Sequence, residues 1–197
     1  MSILGATDVG PETTPPPRRS ISLTVNGERR SVHCEDRQLL VEVVREQLNL
    51  KGTHVGCLNG DCGACTLELD GQIVKSCLML AASADGSEVT TVDGLGTPED
   101  LAPVQAAFWD NDGFQCGFCL PGHLFAARDL IASNPDPTDD EIRYSIAGNL
   151  CRCTGYQSIV TSIREAAAQA RGADAQRPGR WGSRRSASAP ASSSSSS

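Results

Sequence analysis

The sequence predicts an α+β protein, and two observations support this. In the first half of the folded region, apolar and polar residues alternate, and Asn26-Gly27 and Asp70-Gly71 interrupt the alternation as hairpin turns do. In the second half, apolar residues recur at helical spacing. We therefore expect a strand-rich unit followed by a helical unit.

The first unit is expected to contain two hairpins and one helix. Residues 21–34 alternate around the first turn, and residues 66–77 alternate around the second. Between them, the apolar residues of 38–48 share one helical face and predict a helix that crosses the sheet. Residues 89–92 predict a further strand. This order of strand, strand, helix and strand resembles the β-grasp fold of plant-type ferredoxins.

The character of the chain changes after Gly94-Leu95-Gly96, so we expect the domain boundary near residues 93–98. Pro121 suits the first position of a helix, and Thr138 with Glu141 forms a capping box. Four short helices, which suggest a compact four-helix bundle, are predicted at residues 101–109, 121–131, 138–147 and 156–170.

Both ends of the chain have compositions that do not support a packed core. The N-terminal end leads to TTPPPRR without apolar periodicity, and the C-terminal end closes on SASAPASSSSSS. The sequence therefore predicts a disordered arm at 1–19, a ferredoxin-like domain at 20–94, a helical domain at 95–170 and a disordered tail at 171–197.

Charge and hydropathy restrict the partners and the compartment. The chain has a formal net charge of −7, of which the segment from Arg171 contributes +4 and residues 1–19 contribute none, so residues 20–170 carry −11. Such an acidic core repels phosphate backbones, and we expect no nucleic-acid partner. We also expect no membrane span and a cytoplasmic location, because Arg18-Arg19 precedes polar residues rather than the apolar core of a signal peptide.

Nine cysteines in a chain expected to be intracellular favour bound metal over disulfides. Three of them form the loop spacing C-x4-C-x2-C and a fourth follows on a later strand, which is the plant-type [2Fe–2S] pattern. Gly56, Gly60 and Gly63 would let this loop wrap around a cluster. A structural zinc site is the alternative. The four candidate ligands are Cys57, Cys62, Cys65 and Cys77.

A second group of four cysteines lies on the connections between the predicted helices. It consists of Cys116, Cys119, Cys151 and Cys153. The first two alone could form a thioredoxin-like redox pair, but such a motif needs a preceding strand, and none is predicted in this helical region.

The segments GDCGACT, FQCGFC-x-PG and GNLCRCTGYQ resemble the iron–sulfur subunit or domain of the xanthine dehydrogenase and molybdenum hydroxylase family. The resemblance runs from about Ile21 to Ala168. It implies a β-grasp domain whose cysteines hold a distal [2Fe–2S] cluster and a four-helix bundle that holds a proximal one. It further implies that Gln115 hydrogen-bonds a pterin and that the Cys153 sulfur approaches the same pterin. Leu120 and His123 depart from the usual Thr and Met.

The same resemblance implies the function and the partners. The chain would be an electron-transfer subunit with no catalytic residues, which passes electrons from molybdopterin through two [2Fe–2S] clusters to FAD. A large molybdopterin-binding subunit and a medium FAD-binding subunit would carry the other cofactors, in a dimer of heterotrimers. A free-standing two-cluster ferredoxin and a redox-sensing or structural metal module are the alternatives.

Several conspicuous side chains have ordinary interpretations. Cys34 has no partner set and is expected to be a buried apolar residue at a strand end. The three histidines do not form a ligand cluster, and surface or near-cluster positions are expected for them. Phe108 and Trp109 are expected in the core of the bundle, with a subunit interface as the alternative.

Overall fold

The structure, a computed structural model, describes residues 16–174. Within this range, a five-stranded sheet occupies the first half and four of the five α-helices occupy the second half. The predicted α+β class is confirmed. The predicted arm lies mostly outside the described residues, as does most of the predicted tail. Arg18 and Arg19 nevertheless belong to the first strand, and residues 171–174 belong to the last helix.

The sheet has the strand order β2-β1-β5-β3-β4. Its first and last strands along the chain, β1 and β5, pair in parallel, and the other pairs are antiparallel. Both predicted hairpin turns are present, and both residues of each turn have positive φ, as such short turns require. The strands are β1 (Arg18–Val25), β2 (Glu28–Glu35), β3 (Thr66–Leu69), β4 (Gln72–Lys75) and β5 (Glu88–Thr90).

The helix predicted at residues 38–48 is shorter and less regular than expected. It begins with one α-helical turn, α1 (Leu40–Glu42), and continues as a π-helical turn over Val43–Gln47. The Leu48 N–H donates to the carbonyl of Val43, five residues back, which widens the turn. The segment still buries its apolar face against the sheet, because Leu40 and Val44 are fully buried.

Four helices form the second unit, close to the predicted positions. Thr138 and Glu141 form the predicted capping box: the Glu141 N–H donates to the Thr138 hydroxyl, and the Thr138 N–H donates to the Glu141 carboxylate. The helix that follows ends at Ser145, two residues before its predicted end at residue 147. The helices are α2 (Pro103–Asp110), α3 (Leu120–Ser133), α4 (Asp139–Ser145) and α5 (Gln157–Asp174).

Each unit has its own apolar core, and α3 contributes to both. Leu124 packs in the helical core, whereas Phe125 packs in the core of the sheet unit. Cys34 is fully buried in the sheet core at the end of β2, as predicted. The expected core position is confirmed for Phe108, which is buried. It is wrong for Trp109, which is 65% exposed. No helix within residues 16–174 is long and apolar enough to cross a membrane.

Candidate metal centres

The first group of cysteines lies where the loop before β3 meets the turn after β4. Cys57, Cys62 and Cys65 belong to the loop, as predicted. Cys77 lies on a 3-10 turn, Ser76–Leu78, and not on a strand as expected. The neighbouring Ser76 anchors this turn, because its N–H and its hydroxyl both donate to the carbonyl of Cys65, at 3.3 and 2.7 Å. The anchor holds Cys77 beside Cys65.

Backbone N–H groups surround the most accessible end of this group. The Cys62 N–H donates to the Cys57 sulfur at 3.4 Å. Hydrogen bonds from the N–H groups of Cys62 and Asn59 lower the pKa of Cys57 to about 6. At the buried end, burial and a hydrogen bond with Cys65 raise the pKa of Cys77 to about 11. The loop therefore presents donors that favour a thiolate at Cys57.

The loop needs its glycines for two different reasons. Gly60 and Gly63 have positive φ, at +88° and +73°, which suits glycine. Gly56 does not have positive φ. A Cβ on Gly56 would instead lie 2.9 Å from the Cys62 sulfur, so the position has no room for a side chain.

The second group lies at the end of the helical unit nearest the first group. Cys116 and Cys119 precede α3, and Cys151 and Cys153 precede α5. The sulfurs of Cys116 and Cys153 are 3.5 Å apart, and both residues are exposed. Cys119 is buried and interacts with the half-buried Cys151. One pair therefore faces outward and the other faces the core.

Hydrogen bonds fix the inner pair of thiols. Burial raises the pKa of Cys151, but hydrogen bonds from Thr154 and from the N–H of Cys153 outweigh it, so the pKa falls below its usual range. The Cys151 N–H donates to the Tyr156 hydroxyl at 2.9 Å. Burial and a hydrogen bond with Cys151 raise the pKa of Cys119 to about 12. Cys151 is therefore the better prepared thiolate of this pair.

Both groups fit a two-iron cluster better than a single ion. All eight thiols are free, and they associate in the pairs 57 with 62, 65 with 77, 116 with 153, and 119 with 151. Two thiolates on each of two irons are what a [2Fe–2S] cluster requires. Within residues 16–174, no group of three or more His, Cys, Asp or Glu side chains is arranged to hold a single metal ion. Cys116 follows α2 and a loop, so the strand of a thioredoxin-like motif is also missing there.

The two groups meet at one seam between the units. The Leu150 N–H donates to the carbonyl of Cys62 at 2.9 Å and so joins the loop of Cys151 to the loop of Cys62. His54 Nδ1 bonds the carbonyl of Phe118 at 2.8 Å, and the two rings stack with centroids 4.9 Å apart. The sequence does not predict these contacts, because each joins residues that are far apart along the chain.

Gln115 and His123 lie beside the second group. Gln115 is exposed, next to the exposed Cys116. His123 is fully buried, and its Nδ1 lies 2.9 Å from the carbonyl of Cys119, one helical turn earlier. Burial lowers the pKa of His123, so the ring is neutral and donates its Nδ1–H. It is therefore a near-cluster histidine rather than a surface one.

Comparisons with known proteins agree with this arrangement. A family described as the 2Fe-2S iron-sulfur cluster binding domain matches residues 23–92, and one described as the [2Fe-2S] binding domain matches residues 91–164. The small subunit of nicotine 6-hydroxylase from Paenarthrobacter nicotinovorans is 45% identical over 80% of this chain and 96% of its own length. The chain belongs to the family of small iron–sulfur subunits of molybdenum hydroxylases.

Two further relatives agree with this membership. Caffeine dehydrogenase subunit gamma from a Pseudomonas species is 46% identical over 73% of this chain and 88% of its own length. The crystal structure of quinoline 2-oxidoreductase from Pseudomonas putida 86 contains a chain that matches with a TM-score of 0.75 and 43% identity. That match covers 79% of this iron–sulfur subunit and 97% of the solved chain. Our subunit is thus an electron-transfer subunit of an oxidoreductase.

Proposed function

We propose that this iron–sulfur subunit relays electrons from a molybdopterin centre through two [2Fe–2S] clusters to FAD. The molybdopterin belongs to a large partner subunit and the FAD to a medium one, in a dimer of heterotrimers in the cytoplasm. We assign the sheet unit to the β-grasp ferredoxin fold and the helical unit to the four-helix bundle. The acidic core, with −11 on residues 20–170, argues against nucleic acid as a further partner.

The eight cysteines are the proposed ligands. In the sheet unit they are Cys57, Cys62, Cys65 and Cys77, and in the helical unit they are Cys116, Cys119, Cys151 and Cys153. When bound, each cluster supplies a centre that accepts and releases one electron at a time. The chain supplies N–H donors to its sulfurs, which favour added negative charge, and the buried thiols keep water from one side of each site.

The seam is the observation that carries this proposal. The loop of Cys151 and the loop of Cys62 are joined by a single hydrogen bond of 2.9 Å, from Leu150 to Cys62. Electron tunnelling slows steeply as the gap between two centres widens, so direct contact between ligand loops favours rapid exchange. A protein that used its metal only for stability would not need its two sites in contact.

The exposed pair of thiols leaves one face of the second group open to a partner. Gln115 lies beside Cys116 on the surface, and Cys153 is exposed with it. An amide offers both a donor and an acceptor, which suits the edge of a pterin and adds no charge near an anionic cluster. We propose that Gln115 and Cys153 contact the molybdopterin of the large subunit.

Size-exclusion chromatography of the native protein tests this function against the free-standing carrier. We expect the subunit to elute with two larger chains, in a fraction that contains molybdenum and FAD. A monomer at physiological concentration, with both clusters present, would contradict the proposal and support an independent ferredoxin-type carrier.

A further inference from the structure

Lys75 lies where the two ligand loops meet. It is the last residue of β4, two positions before Cys77, and its side chain is half-buried. Its ammonium group donates a hydrogen bond to the carbonyl of Gly60, inside the loop that carries Cys57 and Cys62. A Cβ on Gly148, three residues before Cys151, would lie 3.4 Å from the same ammonium nitrogen. One cation therefore bonds the loop of the first site and lies next to the loop of the second.

No carboxylate neutralises this cation within the described part of the chain. Eight ion pairs occur among residues 16–174, and Lys75 belongs to none of them. The only other lysine, Lys51, is by contrast paired with Glu46 at 3.2 Å. A half-buried ammonium needs an anionic or strongly polar partner, because desolvation of an unpaired charge is costly. Its carbonyl partner satisfies one donor and leaves the charge uncompensated.

The carbonyl that Lys75 binds belongs to a peptide that points at a candidate ligand. The other end of that peptide is the Asp61 N–H, which donates to the Asn59 side-chain oxygen at 3.3 Å and also interacts with the Cys57 sulfur, where it helps to lower the pKa of that thiol. The N–H of Gly60 itself is a donor to the Cys77 sulfur. A cation on the carbonyl polarises the peptide and strengthens its N–H as a donor. A single peptide group, Gly60–Asp61, therefore lies between the Lys75 ammonium group and the Cys57 sulfur.

We propose that Lys75 is a positioning residue that raises the reduction potential of the cluster in the sheet unit and so favours electron arrival there. Reduction adds a negative charge to an anionic cluster, and a nearby unneutralised cation stabilises the reduced form more than the oxidised form. The polarised Asp61 N–H acts in the same direction. This inference rests on the proposed relay function and assigns the direction of the relay to a residue of this chain.

Redox titration of the full chain with its clusters, followed by electron paramagnetic resonance, tests the inference. The variants are Lys75→Met and Lys75→Gln, which remove the charge, and Lys75→Arg, which keeps it. We expect full iron content in all three and a lower midpoint potential of the sheet-unit cluster in the first two. The helical-unit cluster should shift less, because Lys75 bonds only the loop of the first group. The variant Cys57→Ser identifies which signal belongs to the sheet unit.

Arg30→Gln is the matched control, because it removes one positive charge from β2, at the far edge of the sheet from β4. Its potentials should equal those of the wild type. Unchanged potentials in Lys75→Met and Lys75→Gln would overturn the inference. Loss of iron from these two variants but not from Lys75→Arg would also overturn it, because the residue would then be structural. Absence of two clusters from the wild type would instead refute the relay function itself.

Discussion

Gly63 offers a sharp test of the seam between the two units. It lies between Cys62 and Cys65, is buried and has a φ of +73°. A Cβ at this position would lie closer than 3.0 Å to the side chain of Asn149 and to the backbone carbonyl of Gly148. The Asn149 side chain can move, but the carbonyl belongs to the turn that leads to Cys151. The variant Gly63→Ala should therefore force the two ligand loops apart.

Two effects should lower the free energy of unfolding of Gly63→Ala. Left-handed backbone costs a residue with a Cβ about 1–2 kcal/mol relative to glycine, and overpacking a tight contact costs about 1–3 kcal/mol. Together they destabilise Gly63→Ala by about 2–5 kcal/mol. Gly86→Ala is the matched control, because Gly86 has a φ of +82° but no atom within 4 Å of a built Cβ. Gly86→Ala should lower the free energy of unfolding only by the backbone contribution, about 1–2 kcal/mol.

Thermal unfolding followed by circular dichroism measures the difference. For a chain of this size, each 1 kcal/mol lowers the melting temperature by about 2–4 °C. Gly63→Ala should therefore melt about 2–12 °C below Gly86→Ala, from the clash alone. Equal melting temperatures for the two variants would show that the seam accommodates a methyl group and would refute the reasoning.

Three further predictions concern a helix cap, a surface amide and a ligand. Hydrogen bonds from Thr138 lower the pKa of Glu141, so this carboxylate stabilises the fold above the pKa of the unfolded chain and ceases to do so as pH falls through the folded pKa; the stability deficit of Glu141→Ala in urea unfolding should be full at neutral pH and narrow as the pH falls below about 4, and a deficit that stays constant at lower pH would contradict this. Gln115→Ala should keep normal iron content and assembly, because a neutral hydrogen bond contributes only about 0.5–1.5 kcal/mol, but substrate should reduce its clusters more slowly in rapid mixing; unchanged rates would exclude an important pterin contact. Cys57→Ser should lose hydrogen-exchange protection mainly before residue 95, because a small unit depends on its metal for stability; full protection there would show that the cluster is not a structural staple.

Local signals in the sequence predicted the elements that local chemistry determines. The turns at Asn26 and Asp70 formed because Asn-Gly and Asp-Gly readily adopt positive φ, and the Thr138 cap formed because its partner Glu141 lies three residues away. The helix at 38–48 was less predictable, because an apolar face does not distinguish an α-helical turn from a π-helical one. Trp109 was misplaced because helical periodicity alone does not show where a core ends.

The candidate sites divide in the same way. Cysteine spacing predicted two groups of four thiols, and in the structure the thiols of each group lie in two close pairs. Contacts between the groups were beyond sequence reasoning, because Leu150 and Cys62 meet only when the helical unit packs on the sheet unit. Lys75 carries no motif, and its position next to both loops becomes visible only in three dimensions.

Electron paramagnetic resonance of the reduced full chain, combined with iron analysis, tests most directly whether each cysteine group holds its own [2Fe–2S] cluster. We expect two distinct signals and about four irons per chain, since two irons belong to each cluster. Cys57→Ser should remove one signal, and Cys119→Ser should remove the other. A single signal with about two irons in the unmodified chain would contradict the two-cluster relay.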